Sequence, residues 1–143
     1  MEELVNILHT GNRSLVVGGE KVYTYDGRGV SDLFRLSHES PSLLRGSRIA
    51  DKVVGKGAAA LMAWSGVGEV YADVISRPAL DLLQGNAIPT TYTKLVPHII
   101  NRTGTGMCPL ETRCLSCATV EECIGQIETF VEEMKRKNNR WNE

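Results

Sequence analysis

Four cysteines fall between positions 108 and 123 of this 143-residue chain: Cys108, Cys114, Cys117 and Cys123, in the spacing C-x5-C-x2-C-x5-C. The central Cys114-x-x-Cys117 pair is a compact chelate. Four thiolates so close in sequence could close a tetrahedral zinc or iron–sulfur site. The spacing matches no standard finger or ferredoxin pattern, and two other uses stay open: a redox-active or incidental disulfide, and inert packed thiols. Cys108-Pro109-Leu110-Glu111 follows the Gly-containing loop from Asn101 to Gly106. A thiol where a loop enters a helix can have a lowered pKa and act as a nucleophile. Glu111 would then be its acid/base partner, or else the cap of the following turn. The nearest histidine in sequence is His98, with no evident pairing. The plainer reading of Cys108 is a small packed hydrophobe.

Lys52, Lys56, Arg77 and Arg102 are the cations that a helix-start anion site could gather, with Ser76 and Asn101 as neutral donors. Their product would be a pocket for a small anionic, nucleotide-like molecule; the alternative is a set of solvated surface charges. Lys56 stands between Gly55 and Gly57. Desolvated, it could turn nucleophilic and join Cys108 and Glu111 as a catalytic group. Asp51 reads as a helix-start carboxylate. Asp73, between Ala72 and Val74 on a buried strand, demands a partner. His9 and His38 read as isolated surface or satisfied residues. Asn101-Arg102-Thr103 fits a glycosylation sequon that has no meaning in the cytoplasm.

These residues need a frame. Glu2 to Leu8 has the spacing of a short amphipathic helix. Ser14–Val17 and Lys21–Tyr25, joined at Gly18-Gly19, read as a β-hairpin. Val30–Leu36 reads as a helix capped by Ser31 or Asp32, and Ser37–Ser47 as a polar loop in which Leu43-Leu44 must be buried. Ile49 to Trp64 has helical spacing through Ile49, Val53, Ala60, Leu61 and Trp64, with small residues that let another backbone approach. Glu69–Ile75 is a central strand. Ser76 or Arg77 caps the next helix, with Pro78 in its first turn. Thr90–Leu95 is a strand and Val96–Ile100 a short helical turn. Val120–Lys135 is amphipathic, with Ile124, Ile127, Phe130, Val131 and Met134 on one side. Residues 136–143 read as a frayed tail, Trp141 included. The sum is one α/β domain over 1–143: a three-layer α/β/α sandwich with a mixed central sheet of about four or five strands. In open sheets of this kind ligands bind outside the carboxyl ends of the strands, by the helix starts.

A net charge of −1 and a pI near 6.3 give no general electrostatic case for nucleic acid or an anionic membrane. No apolar run approaches the ~18–20 residues of a membrane span. The acidic start MEELVNILHTGN is no signal peptide. The expectation is a soluble cytoplasmic protein with reduced thiols. Its oligomeric state is open, a homo-oligomer included.

Four words occurring in order, DKVVGKGAAA (51–60), EVYADVISRPAL (69–80), VPHIINR (96–102) and CPLE (108–111), resemble a family of small bacterial and archaeal proteins of unknown function with a cytidine-deaminase-like fold. The resemblance spans about residues 3 to 112. It implies the fold and not the activity. A zinc deaminase carries His-x-Glu (or Cys-x-Glu) at one helix start and Pro-Cys-x-x-Cys at the next. Here those places read Asp51, Lys52 and Lys56, then Ser76-Arg77-Pro78-Ala79-Leu80-Asp81, so the zinc triad is absent. The shared family word is CPLE-like, without the three later cysteines. That implies an added redox pair or metal staple. Two uses of the chain follow: a small-ligand binder or non-zinc enzyme, and a non-catalytic metal-binding, redox or interaction module built on the cysteine segment.

Overall fold

The expected hairpin forms, but Gly18 pairs with Val22 as the last residue of the first strand, so the turn is Gly19-Glu20-Lys21 rather than Gly18-Gly19. Leu15–Gly18 (β1) pairs antiparallel with Val22–Tyr25 (β2). β1 also pairs antiparallel with Arg48–Val54 (β3). From there the sheet is parallel, β3 with Glu69–Ser76 (β4) and β4 with Thr90–Val96 (β5). The order across the sheet is β2-β1-β3-β4-β5. This computed structural model describes residues 1–27, 30–101 and 103–141, with side chains as far as residue 137.

Helices cover both faces. Glu2–Thr10 (α1) sets Leu4 and Leu8 against Val16, Ala50 and Tyr71, and among the described residues it covers that face alone. Gly18 makes the approach close: a Cβ there would stand 2.8 Å from Leu4 Cδ1. On the opposite face lie Ser31–Glu39 (α2), Pro41–Leu44 (α3), Lys56–Trp64 (α4), Arg77–Gly85 (α5), Pro109–Leu115 (α6) and Val120–Trp141 (α7). They bury the main core around Leu61, Met62, Ile75, Leu83 and Ile127. Among the described residues no helix is long and apolar enough to cross a membrane.

Four further expectations need correction. The stretch from Ile49 to Trp64 is not one helix but β3 followed by α4, divided at Gly55. Asp51 and Lys52 therefore stand on a strand, and Asp51 is no helix-start carboxylate. The strand was masked because its alternation reverses midway. Core-facing residues are Ile49 and Val54 on β3, and Val70, Ala72 and Ile75 on β4. The ladder pairs Asp51, Ala72 and Tyr92, then resumes at Val53, Val74 and Lys94, skipping the polar row Lys52, Asp73 and Thr93. A strict period of two fails across such a step, and Ile49 and Val53 imitate a helical i, i+4 pair.

Second, Val96–Ile100 forms no helical turn. Val96 ends β5, a bend follows at Pro97-His98, and Ile100 bridges antiparallel to Met107. Third, α2 begins one residue after Val30 with no side-chain cap, and Asp32 instead accepts the Gly27 N–H at 2.7 Å. It also runs on to Glu39, and α3 within the expected loop buries Leu44. Fourth, the tail is helical backbone as far as Trp141; its last two residues lie outside the described ones.

Candidate functional site

The three parallel strands finish at Val54, Ser76 and Val96, and one side chain ties the three exits together. Glu111, in the first turn of α6, is 2% exposed. Its Oε1 accepts the backbone N–H of Lys56 at 2.9 Å and the Ser76 hydroxyl at 3.0 Å. Its Oε2 accepts the backbone N–H of Ile99 at 2.8 Å. Lys56 N–H, in the first turn of α4, is one of the donors a helix leaves without an acceptor of its own, the kind of group that takes an anion. Ser76 caps α5 through the Ala79 N–H, as its sequence position implied. The anion position at the carboxyl ends of the strands is thus filled by the chain's own carboxylate.

Gly55 and Gly57 serve that packing. A Cβ on Gly55 would come 3.2 Å from Glu111 Oε2, and one on Gly57 would come 2.9 Å from Leu110 Cδ2. The small residues of α4 therefore admit α6, the helix-packing reason for their size.

Lys56 is committed elsewhere. Its Nζ donates to the carbonyls of Leu115 at 3.1 Å and Cys117 at 2.8 Å, closing the C-terminal end of α6. Held on two carbonyls at a helix C-terminus, the Lys56 side chain closes α6 rather than standing free to attack a substrate. Cys108 sits at the N-cap of α6, half-buried against the core, and its backbone N–H bonds Ile99 O at 2.8 Å. Its thiol makes no hydrogen bond among the described residues. Glu111, turned toward Lys56, Ser76 and Ile99, is a structural tie here.

The remaining candidates divide. Lys52 Nζ donates to Asn12 Oδ1 at 2.9 Å, on the α1 side of the protein. Asn101 organises its own loop by accepting from Thr103 Oγ1 and Thr105 N. Arg102 lies outside the described residues. Arg77 and Lys56 do come together, on a groove of about 1000 Å³ along the outer sides of α4 and α5. Trp64, Asp81, His98, Leu115, Cys117 and Glu121 complete its principal walls. Trp64 is 44% and Leu115 41% exposed. Arg77 makes an exposed i, i+4 contact with Asp81 at 3.4 Å. His98 Nδ1 is buried with no hydrogen-bond partner among the described residues. In sequence His98 showed only as the histidine nearest Cys108; the bend that brings it to the groove has no periodic signature.

Three of the four cysteines meet at the end of this groove. Cys114 and Cys123 are fully buried, and Cys117 is half-buried on the groove wall. The Cys123 thiol lies close enough to both others to perturb them. The bond from Cys123 holds the Cys114 thiol below the ordinary thiol range, against burial. Burial pushes Cys117 up, and the bond to Cys114 followed by burial pushes Cys123 up. Cys108 is at the opposite end of α6, six residues or about 9 Å of helix from Cys114. The four thiols therefore do not form one tetrahedral set. Among the described residues no group of three or more His, Cys, Asp or Glu side chains is arranged to hold a metal ion.

The family described as TM1506, Domain of unknown function (DUF1893), matches residues 3–131. The chain belongs to this DUF1893 family. It is similar to the crystal structure of a DUF1893 family protein (TM1506) from Thermotoga maritima, with a TM-score of 0.83 and 26% identity. The likeness covers 90% of this chain and 87% of that one. A comparison with curated proteins gives no match.

This DUF1893 chain carries a second polar cluster, on the α1 face. Asp73 Oδ1 meets His9 Nε2 at 2.7 Å and accepts the Tyr71 hydroxyl at 2.8 Å, while Tyr71 is 2.6 Å from Thr93 Oγ1. Asp73 thus has the partners its buried strand demanded. Asp51 lies beside it. Burial pushes its carboxyl up to about 7, opposed by the backbone N–H groups of Val53 and Lys52 and reinforced by the charge of Asp73. His38 is also partnered, by Glu128 at 3.2 Å.

Proposed function

We propose that this DUF1893 protein binds a small anionic, nucleotide-like molecule in the groove between α4, α5 and the α6–α7 connection. The single observation that carries the reading is His98, which lines an open groove and whose buried Nδ1 has no hydrogen-bond partner among the described residues. Buried polar atoms are nearly always satisfied, so a polar group taken up beside this ring would complete it. Around it, Arg77 supplies an exposed guanidinium for phosphate or carboxylate. The exposed Trp64 ring supplies a flat apolar face for a base.

The scaffold in this reading is deaminase-like, without zinc chemistry, in a cytoplasmic setting. Binding is favoured over covalent catalysis by Lys56 and Cys108. The ammonium of Lys56 is fixed on two carbonyls, and Cys108 is packed at a helix cap.

The test is a thermal-shift series with nucleoside monophosphates, the free nucleosides and inorganic phosphate. A molecule that binds only the native state stabilises it by about 2.7 kcal/mol at one hundred times its Kd. A rise in Tm with monophosphates that His98→Ala and Arg77→Ala both abolish is expected. No rise with any of them, or a rise untouched by both substitutions, overturns the proposal.

A further inference from the structure

We propose that His38 is the positioning residue for Trp64: its imidazole, tied at both ring nitrogens, fixes the indole that forms the flat wall of the groove, and a second ring proton closes both ties. The inference deepens the ligand reading, on which the use of the Trp64 face rests.

His38 stands in the last turn of α2, against two aromatic rings. Its ring centroid is 4.1 Å from that of Phe34 and 5.2 Å from that of Trp64. Phe34 packs on the main core, whereas Trp64 is 44% exposed on the groove. The imidazole thus links the indole to a ring of the core.

Both nitrogens face acceptors. Nε2 is 3.2 Å from Glu128 Oε2 of α7. Nδ1 is 3.0 Å from Phe34 O and 3.0 Å from Ser37 Oγ. The Ser37 hydroxyl donates to Phe34 O at 2.7 Å, the shorter of its two contacts, and so turns a lone pair to Nδ1. A neutral imidazole has one N–H and closes only one of the two ties; a second proton closes both. It also presents a cation to the two aromatic rings, an attractive contact within about 6 Å. The other charges on the packed helices are engaged or set apart. On α2, Arg35 pairs with Asp32 at 3.3 Å, and Glu39 follows His38 in sequence. On α4, Lys56 is the one charge, held by the Leu115 and Cys117 carbonyls at the end opposite Trp64. α3 carries none. On α7, Glu132 meets Arg136 at 3.9 Å, and Glu121 lies on the groove with Trp64.

The experiment reads Trp64 emission against pH in the full chain, with no ligand present. Trp64 and Trp141 are the two tryptophans, so a Trp141→Phe background isolates the Trp64 indole. An imidazolium touching an indole quenches its fluorescence, and a neutral imidazole does so far less. A reversible loss of emission is expected on going from about pH 8 to about pH 5, the interval in which histidine side chains gain their charge. His38→Gln can still form a hydrogen bond but takes no second proton, and should remove the loss. His98→Gln, which deletes the other histidine of the groove, should retain it. If His38→Gln fails to fold, imidazole nitrogen NMR spectra of the unaltered chain decide: His38 must hold protons on both nitrogens at the acid end and on one at the alkaline end. Flat emission, a loss that survives His38→Gln, or one that His98→Gln abolishes overturns the inference. The two readings fail separately: flat emission leaves the thermal-shift result untouched, and a flat thermal-shift series leaves the emission result untouched.

Discussion

The carboxylate of Glu111 and the backbone N–H of Lys56, 55 positions apart in sequence, stand 2.9 Å from one another. Through that contact α6 is fastened to the start of α4, and the same carboxylate reaches Ser76 and Ile99. Glu111→Gln keeps the shape but turns one acceptor into a donor facing donors. Leaving a buried donor unsatisfied costs about 1–3 kcal/mol, so a loss of that size is expected in urea denaturation. Ser76→Ala should lose less, and the double variant should lose less than the sum, because the two residues share one bond. A Glu111→Gln protein as stable as wild type would show that α6 is held by packing alone.

Lys56→Met removes the ammonium from the carbonyls of Leu115 and Cys117 while keeping much of the apolar stem. The expected loss is about 1–2 kcal/mol, from two charge-assisted bonds at a helix C-terminus. Hydrogen exchange should speed up in residues 109–119 before it does so in β3 or β4. Uniform exchange across the chain would argue against this local role.

Gly57 and Gly85 make a contrasting pair. Ala at a helical glycine is favoured by about 1 kcal/mol on propensity. At Gly85 nothing lies within 4 Å of the added Cβ, and Gly85→Ala should raise Tm. At Gly57 the Cβ would meet Leu110 Cδ2 at 2.9 Å and Cγ at 3.0 Å, and Leu110 is 7% exposed. Overpacking of this kind costs about 1–3 kcal/mol, so Gly57→Ala should lower Tm. Equal shifts of the same sign would contradict the packing of α6 on α4.

Asp51 gives a pH dependence with a defined sign. Its folded carboxyl is raised to about 7 from 3.8, so between those values the native state holds a proton that the unfolded chain has released. The stabilisation is complete below pH 4 and is lost as pH rises through 7, by at most about 1.4 kcal/mol per pH unit. Asp51→Asn has no such loss and can still accept the Val53 N–H. It should be more stable than wild type at pH 8, with little difference at pH 4. Denaturation midpoints at the two pH values decide it, and a larger gain at pH 4 would reverse the assignment.

Much of the fold could be read from local order. The hairpin, the strand from Glu69, the Ser76-Arg77-Pro78 helix start and the amphipathic α7 are set by short-range propensity, capping and periodicity, which residues carry with them. β3 could not be read this way, because Ile49 and Ala50 are buried on opposite faces and its alternation reverses beside Asp73. Those facts depend on β1 and β4. The site divides along the same line. The residue types at Lys56, Arg77, Glu111 and the cysteines marked where chemistry could reside. Which of them faced one another was decided by the packing of α6. It placed the Glu111 carboxylate at the exits of three strands and turned Lys56 to a helix end. It also separated Cys108 from three thiols that α7 gathered. Sequence supplies donors, acceptors and charges; a buried carboxylate chooses among distant partners only when the folded chain has excluded water and brought them within 3 Å.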